Sequence, residues 1–234
     1  MNKAVIVTDL GFGDSGKGCT VDYLTRIHQA ELVVRFNGGP QAAHNVVTPE
    51  GQHHCFSQFG SGTLSGAATY LSSDFLFDPL ALLQEAKHLS GLGISSPLSL
   101  IHVDENAKII TPFQCIIGRI RELLRGVGAS KEKRHGSCGC GIGEVMMDSL
   151  AGNFPLQLTL KDCFDQHLLE SKLSEIKGAK AVQVEQMVAD SDLLAEGHTE
   201  ITAQIWAELE LFQSKDLQSA WLQLCRTILQ EINP

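Results

Sequence analysis

The strongest constraint on the fold is a glycine-rich stretch near the N-terminus, Gly11-Phe12-Gly13-Asp14-Ser15-Gly16-Lys17-Gly18. It follows a β-branched run from Lys3 to Thr8 and precedes Val21, Leu24 and Ile27, whose spacing predicts one face of a helix. We therefore predict a strand, a glycine loop and a helix in that order. Such a loop turns backbone N–H groups toward a phosphate, and a lysine at the helix start adds positive charge.

The spacing Gly11-x-x-x-x-Gly16-Lys17 is that of a phosphate-binding P-loop, but Gly18 stands where that motif has a Ser or Thr that holds Mg²⁺. A metal ligand must then come from elsewhere, and Asp14 is the carboxylate within the loop. Two simpler interpretations remain open: a glycine turn before an ordinary helix, and Asp14 as a helix N-cap.

The rest of the chain alternates strands with helices early and is mainly helical late. The predicted strands are residues 32–36, Val46-Val47 and residues 98–103, and the predicted helices begin at Asp78-Pro79 and Pro112 and dominate from Leu160 onward. This order predicts an α/β fold, a P-loop-like and mainly parallel sheet flanked by helices, with a helical C-terminal lobe. We assign residues 1–150 to a nucleotide-binding α/β core and residues 151–234 to a mainly helical region of the same domain.

Charge is distributed unevenly along the 234 residues, whose net charge is -9. Residues 1–134 carry 12 Lys and Arg against 12 Asp and Glu, and residues 135–234 carry 6 against 15. The acidic balance argues against nucleic acid and anionic membranes as partners, and it directs the search for an anionic ligand to the first part. Seven cysteines and no secretory or membrane-spanning apolar run predict a cytoplasmic protein.

A second glycine-rich stretch spans Gly136 to Gly143, and a basic cluster leads into it. The cluster comprises Arg119, Arg121, Arg125, Lys131, Lys133 and Arg134. Cations beside a glycine turn predict phosphate binding, although any one of them alone is more typical of a solvated helix face. A zinc site at Cys138-x-Cys140 with His135, or at His53-His54-Cys55, is disfavoured because a second ligand pair is missing, and no base accompanies Cys138 for thiol chemistry.

The two glycine-rich stretches, Gly11 to Gly18 and Gly136 to Gly143, resemble segments of the adenylosuccinate synthetase family. A third segment resembles that family as well, Val34-Arg35-Phe36-Asn37-Gly38-Gly39-Pro40-Gln41-Ala42-Ala43-His44. Gly60-Ser61-Gly62-Thr63-Leu64, Asp78-Pro79 and Arg121-Glu122 resemble further segments of that family in the same order. Several ordered matches are more specific than any one of them. The resemblance covers about residues 3–165. The remainder of the chain resembles the family only in being helical.

The resemblance implies a ligase that joins aspartate to position 6 of the purine of IMP, using GTP and Mg²⁺, through a 6-phosphoryl intermediate. It implies that Asp14 is the base that takes the purine N1 proton and also a Mg²⁺ ligand, and that His44 stabilises the transferring phosphoryl group or donates a proton. Lys17 and the amides of Gly16 and Gly18 would bind nucleotide phosphates. The implied ligand-contacting residues are Gly13, Asp14, Ser15, Gly16, Lys17, Gly18, Cys19, Gln41, Ala42, Ala43, His44, Asn45, Ser137 and Cys138, with the Ala43 carbonyl on the metal.

Several positions depart from the family pattern. Gln41 replaces an Asn, Ala43 a Gly, Asn45 a Thr, Cys138 a Thr, Cys140 an Arg and Glu144 a Pro. An acidic residue after a phosphate loop predicts that the second substrate differs from IMP or is held differently. Cys138 lacks the strong hydroxyl donor of the Thr that it replaces, and Ser137 beside it could compensate for the loss.

Three later family segments, which line the purine site, grip aspartate and read guanine, are not found before Pro234. We therefore expect a fragment, a short relative completed by another subunit, or a reduced form, acting as a homodimer or with a complementing subunit. Two alternative functions remain: a non-catalytic or partner-dependent purine-nucleotide-binding module, and a simple P-loop NTPase. The missing hydroxyl after Lys17 counts against the second.

Overall fold

The computed structural model describes residues 3–11, 13–125, 136–152, 156–191 and 199–232. Its contacts divide the chain into two compact units, Met1–Ala107 with Ile228–Pro234, and Lys108–Thr227. The predicted functional division at residue 150 stays a prediction.

The elements of the first unit are α1 (Lys17–His28), β1 (Leu32–Arg35), β2 (His44–Val47), β3 (His53–Phe56), β4 (Ala68–Leu71), β5 (Leu76–Phe77), α2 (Pro79–Gly91) and β6 (Ile101–Val103). The unit is built on a parallel sheet in the strand order β1-β4-β6, with a separate antiparallel hairpin of β2 and β3. Side chains of one sheet face, among them Thr69, Leu71, Ile101 and Val103, are completely buried. The predicted α/β fold with a mainly parallel sheet is confirmed.

The predicted strand from Lys3 to Thr8 is wrong. None of the described residues 3–9 is assigned to a strand, and Val5 and Ile6 are exposed by 48% and 81%. A strand needs a neighbour that takes its backbone hydrogen bonds, and among the described residues the ladders of β1, β4 and β6 are formed only with one another. A β-branched run without such a neighbour stays irregular.

The buried side of α1 also differs from the prediction. Gly18, Asp22 and Thr25 are buried, whereas Ile27 is exposed and Val21 and Leu24 are half-buried. A Cβ on Gly62 would lie 2.6 Å from the Thr25 side chain, so the helix docks onto the Gly60–Gly62 turn through a small residue. Because α1 and the Gly60–Gly62 turn approach each other closely, small side chains are needed at their contact. The helix face predicted from the apolar periodicity of α1 is therefore not the face that packs.

The predicted helix start at Asp78-Pro79 is confirmed. The Asp78 carboxylate accepts hydrogen bonds from the amides of Leu80 (2.9 Å) and Ala81 (3.2 Å), and Pro79 occupies the first turn. Residues 97–100 form a short 3₁₀ helix ahead of β6, so only the end of the strand predicted at 98–103 is extended.

The second unit is mainly helical. It contains β7 (Lys108–Ile109), α3 (Pro112–Leu124), α4 (Ile142–Leu150), a 3₁₀ helix (Leu160–Phe164), α5 (Gln166–Ala189), α6 (Thr199–Gln213) and most of α7 (Lys215–Leu229). Helix α3 packs against α5 and α6, and the rings of Phe113 and Phe212 meet edge to face at 5.3 Å. The predicted helical C-terminal lobe is confirmed. No helix within the described ranges combines the length and apolar character needed to cross a membrane.

Candidate active site

The first glycine loop places consecutive residues in the left-handed region of backbone space. Gly13 has φ 104°, Asp14 φ 51° and Gly16 φ 76°. Gly16 is the N-cap of α1 and offers no side-chain acceptor, and the first turn of α1 contains no acidic residue. The amides at the start of α1 are thus directed to a site suited to an anion. Asp14 is exposed and holds a conformation that side-chain-bearing residues rarely adopt, a kind of strain that clusters at functional sites.

Lys17, the predicted phosphate-binding lysine, forms an ion pair with Asp9, a residue that the motif did not single out. Lys17 Nζ donates to Asp9 Oδ2, and Asp9 Oδ1 is buried without a hydrogen-bond partner in the described part of the chain. The side chain of Lys17 remains 33% exposed. The carboxylate therefore fixes the ammonium group at the edge of the loop while leaving it accessible.

His44 begins β2 and lies directly against the first loop. A Cβ on Gly18 would be 2.7 Å from the His44 Cβ, so the first turn of α1 contacts the histidine through glycine. Burial lowers the pKa of His44, and the positive charges of Arg35 and Lys17 lower it further, against a smaller opposing effect of Glu85. The imidazole is therefore predominantly neutral near pH 7.

The remaining residues of the predicted first site surround His44 on its strand and turn. Cys19 Sγ donates to the Asn45 carbonyl at 3.0 Å, and Asn45 Oδ1 lies 3.0 Å from His53 Nε2. Gln41 and Ala43 are exposed and Ala42 is half-buried in the turn before β2. The structure thus brings Gly18 and Cys19 at the start of α1 against His44 and Asn45 of β2.

A buried carboxylate that the sequence reading missed holds the next segment in position. Glu85 on α2 accepts from Ser57 N (2.9 Å), Ser57 Oγ (2.8 Å) and Gln58 N (2.7 Å), and His54 Nε2 lies 3.3 Å away. Although burial raises the pKa of Glu85, these hydrogen bonds outweigh it and the pKa is lowered. The charged carboxylate therefore anchors the turn that receives α1.

Arg35 supports the same turn from β1. Its Nη1 donates to the carbonyls of Ser57 (2.7 Å) and Phe59 (3.3 Å). Burial lowers the pKa of Arg35 to about 10, and the Glu85 carboxylate opposes that effect. Arg35 therefore stays charged at pH 7 and bonds to the backbone, which makes it a structural residue of the site.

The second glycine loop lies in the second unit and, like the first, ends at a left-handed glycine that caps a helix. Gly136, Gly139 and Gly141 have φ between 67° and 75°, and Gly141 is the N-cap of α4. A Cβ on Gly141 would lie 2.9 Å from Ile110 and 3.0 Å from the Cys115 amide. The loop is therefore packed tightly onto α3. Ser137 and Cys138 are exposed within it.

Glu144 does not face a ligand, so the inference of an altered second substrate loses its basis. Only 3% of Glu144 is exposed, and its carboxylate accepts from Arg121 Nε (2.7 Å) and lies 3.3 Å from Lys180 Nζ. Lys180 is itself buried and donates to Asp148 Oδ1 at 2.7 Å. The acidic residue after the loop is thus neutralised inside the helical unit, where it orients α4.

The three described arginines of the basic cluster are paired within the protein. Arg119 bonds Glu208, Arg121 bonds Glu144 and Arg125 bonds Glu122. The other members, Lys131, Lys133 and Arg134, lie outside the described residues, as does His135 of the disfavoured zinc site. Within the described ranges, no group of three His, Cys, Asp or Glu residues could hold a metal ion.

A parallel sheet flanked by helices, with a glycine loop at the start of α1, defines an α/β protein. The adenylosuccinate synthetase family model matches residues 6–229. Adenylosuccinate synthetase from Nitrosospira multiformis is 35% identical over 75% of this chain, and that from Clostridium botulinum strain Hall is 31% identical over 79%. The chain belongs to the adenylosuccinate synthetase family.

The chain spans 38% and 44% of the lengths of these two relatives. The solved structure of fully ligated adenylosuccinate synthetase from Plasmodium falciparum superimposes with a TM-score of 0.63 at 17% identity, covering 86% of this chain and 43% of that one. At that identity the structural likeness establishes the fold alone.

Proposed function

We propose that this chain carries the phosphate-handling part of a GTP- and Mg²⁺-dependent purine nucleotide ligase. The reaction joins IMP, or a related purine nucleotide, to aspartate or another amino acid. The observation that supports this most strongly is the contact of His44 with Gly18, in which the histidine lies against the first turn of the helix that begins at Lys17. Family membership supports the purine ligase class.

In this proposal Asp14 removes the proton from purine N1, so that O6 attacks the γ-phosphorus of GTP and GDP leaves. The amine of the amino acid then displaces phosphate from position 6. His44 donates a hydrogen bond to the transferring phosphoryl group, and Lys17 with the amides of Gly16 and Gly18 binds the nucleotide phosphates. Ser137 and Cys138, in the second loop, bind the purine monophosphate.

The donors present suit Mg²⁺. Mg²⁺ usually takes one or two protein oxygens, with phosphates and water filling the other positions, so a cluster of three side chains is not required. Asp14, exposed in the loop, and the Ala43 carbonyl would hold the ion. When bound, it would neutralise charge developing on the phosphate oxygens.

The same proposal has a partner-dependent form. The chain spans 38% and 44% of the lengths of the two relatives, and in this form a homodimer partner or a complementing subunit contributes to the site. A cytoplasmic setting, where IMP and GTP are available, belongs to the same proposal.

The test follows the transfer of the oxygen at position 6 of IMP to the released phosphate. IMP labelled with ¹⁸O at position 6 is incubated with GTP, Mg²⁺ and aspartate, and the phosphate released is analysed by mass spectrometry. We expect labelled phosphate with the native chain, and with Asp74→Asn as an exposed carboxylate control, but none with Asp14→Asn. Unlabelled phosphate would exclude the 6-phosphoryl step. If phosphate forms only when the C-terminal part of the Nitrosospira relative is added, the partner-dependent form is correct.

A further inference from the structure

A cleft of about 440 Å³ opens beside the second glycine loop, within the range of small-molecule sites. It is formed by α3, the loop and α6, all within the second unit. Its lining includes Arg119 and Glu122 from α3, the loop residues Ser137 and Cys138, and Glu208 from α6. The cleft therefore combines a cation, loop residues and two carboxylates.

The cation of the cleft is engaged by one of these carboxylates. Arg119 Nε and Nη2 donate to the two oxygens of Glu208 at 2.6 and 2.7 Å. Two parallel bonds of this kind match the way in which a guanidinium group binds a phosphate. The Arg119 side chain is 35% exposed, so a ligand in the cleft can reach it.

The second carboxylate engages the loop. Glu122 Oε1 accepts from the Gly136 amide at 2.9 Å, and Glu122 Oε2 accepts from Arg125 Nη1 at 3.0 Å. Among the described residues that line the cleft, Arg119 is paired with Glu208, and Glu122 is paired with Arg125 beside the cleft. The Arg119 donors that would attract a phosphate are therefore matched by one of the protein's own anions.

Building on the proposed function, we propose that Glu208 is an internal competitor for the phosphate of a nucleoside 5′-monophosphate in this cleft. Arg119 binds either the Glu208 carboxylate or the ligand phosphate. A phosphate dianion carries more charge than a carboxylate and can displace Glu208, whereas an uncharged nucleoside cannot. The pair thus selects for phosphorylated ligands.

The competition also links ligand binding to α6. When phosphate takes Arg119, Glu208 is released, and α3 and α6 lose their bidentate link while keeping the Phe113–Phe212 contact. The observed affinity for phosphate is the intrinsic affinity multiplied by the fraction of molecules in which Arg119 is not engaged by Glu208. Removing the competing carboxylate must therefore tighten phosphate binding.

The test is calorimetric titration of the full chain with IMP and, separately, with inorganic phosphate. We expect Glu208→Gln to tighten both by about tenfold, equivalent to about 1.4 kcal/mol. Glu210→Gln, an exposed position on the same helix, is the control and leaves both affinities unchanged. Circular dichroism verifies that the variants are folded.

The competitor must act through Arg119, so the gain from Glu208→Gln should vanish in an Arg119→Gln background. A gain that persists there, an unchanged or weaker affinity in Glu208→Gln, or no measurable binding to either protein would overturn the proposal. If Glu208→Gln tightens phosphate binding but no turnover of IMP is found, the proposed ligase fails while the competition stands.

Discussion

The Cβ of His44 occupies the space that a Cβ on Gly18 would need, since the two would be 2.7 Å apart. This contact joins the phosphate loop to the start of β2. It explains in steric terms why a glycine follows Lys17: a Ser or Thr side chain there would collide with His44. The residue that makes the P-loop motif imperfect is the one that allows the backbone and Cβ of His44 to approach α1.

We predict that Gly18→Ala destabilises the protein by about 1–3 kcal/mol, the usual cost of overpacking a tight contact. The clash involves His44 backbone atoms at 3.0 Å as well as its Cβ, so it cannot be relieved by a side-chain rotation alone. Urea unfolding measures the loss. Gly91→Ala, where the added methyl group meets nothing within 4 Å, serves as control and should be neutral or stabilising.

Lys17→Gln should weaken binding of GTP with Mg²⁺ by roughly 10- to 100-fold, since hydrogen bonds to charged groups contribute about 1.5–3 kcal/mol. The Asp9 contact holds the ammonium group in place but leaves it accessible. Fluorescence titration with a labelled GTP analogue measures the change. Lys87→Gln, exposed on α2, should bind normally, and equal losses in both variants would show that the effect is not specific to the loop.

We predict that the stability contributed by the Glu85 carboxylate is lost in acid. Its pKa is lowered in the folded state, because hydrogen bonds from His54, Gln58 and Ser57 outweigh the effect of burial. The unfolded chain therefore binds more protons as pH falls below about 4.3, the ordinary value for Glu. The stabilisation is fully present above that value and is lost as pH falls through the folded pKa.

Glu85→Gln should accordingly cost about 2 kcal/mol at pH 7, and the difference from the native chain should shrink below pH 4. Urea midpoints measured across this range give the comparison. A difference that is constant with pH would mean that the charge of Glu85 contributes nothing.

Lys180→Met should destabilise the helical unit by about 3–5 kcal/mol, because it leaves the buried carboxylates of Glu144 and Asp148 undercompensated. The triple change Lys180→Met, Glu144→Gln and Asp148→Asn removes the charges together and should recover part of the loss. Thermal unfolding monitored by circular dichroism reports both effects. A triple variant less stable than the single one would argue that the bonds of Glu144 with Arg121 and of Asp148 with Gln114 outweigh the cost of the uncompensated charges.

Local chemistry made part of the fold predictable. Asp78-Pro79 carries both a helix cap and a proline suited to a first turn, and β1 is a compact β-branched run. The run from Lys3 to Thr8 is also rich in β-branched residues but has no ladder neighbour among the described strands. A strand's existence depends on that neighbour, which the local sequence does not encode.

For the site, the sequence indicated the two loops and His44 through their motifs, but not the charges that surround them. Asp9, Glu85, Glu208 and Lys180 occur outside any motif and become visible only when long-range contacts are known. For Glu144 the position after the second loop suggested a contact with the ligand, whereas its carboxylate pairs with Arg121 inside the protein. The roles assigned to Asp14 and His44 stay predictions.

The most direct test of the central claim is the rate of phosphate release from GTP in the presence of Mg²⁺, IMP and aspartate. We predict release that requires IMP and is lost in Asp14→Asn, either with the chain alone or after addition of the C-terminal part of a relative. Release that proceeds equally without IMP, or equally in Asp14→Asn, would contradict a purine-activating ligase.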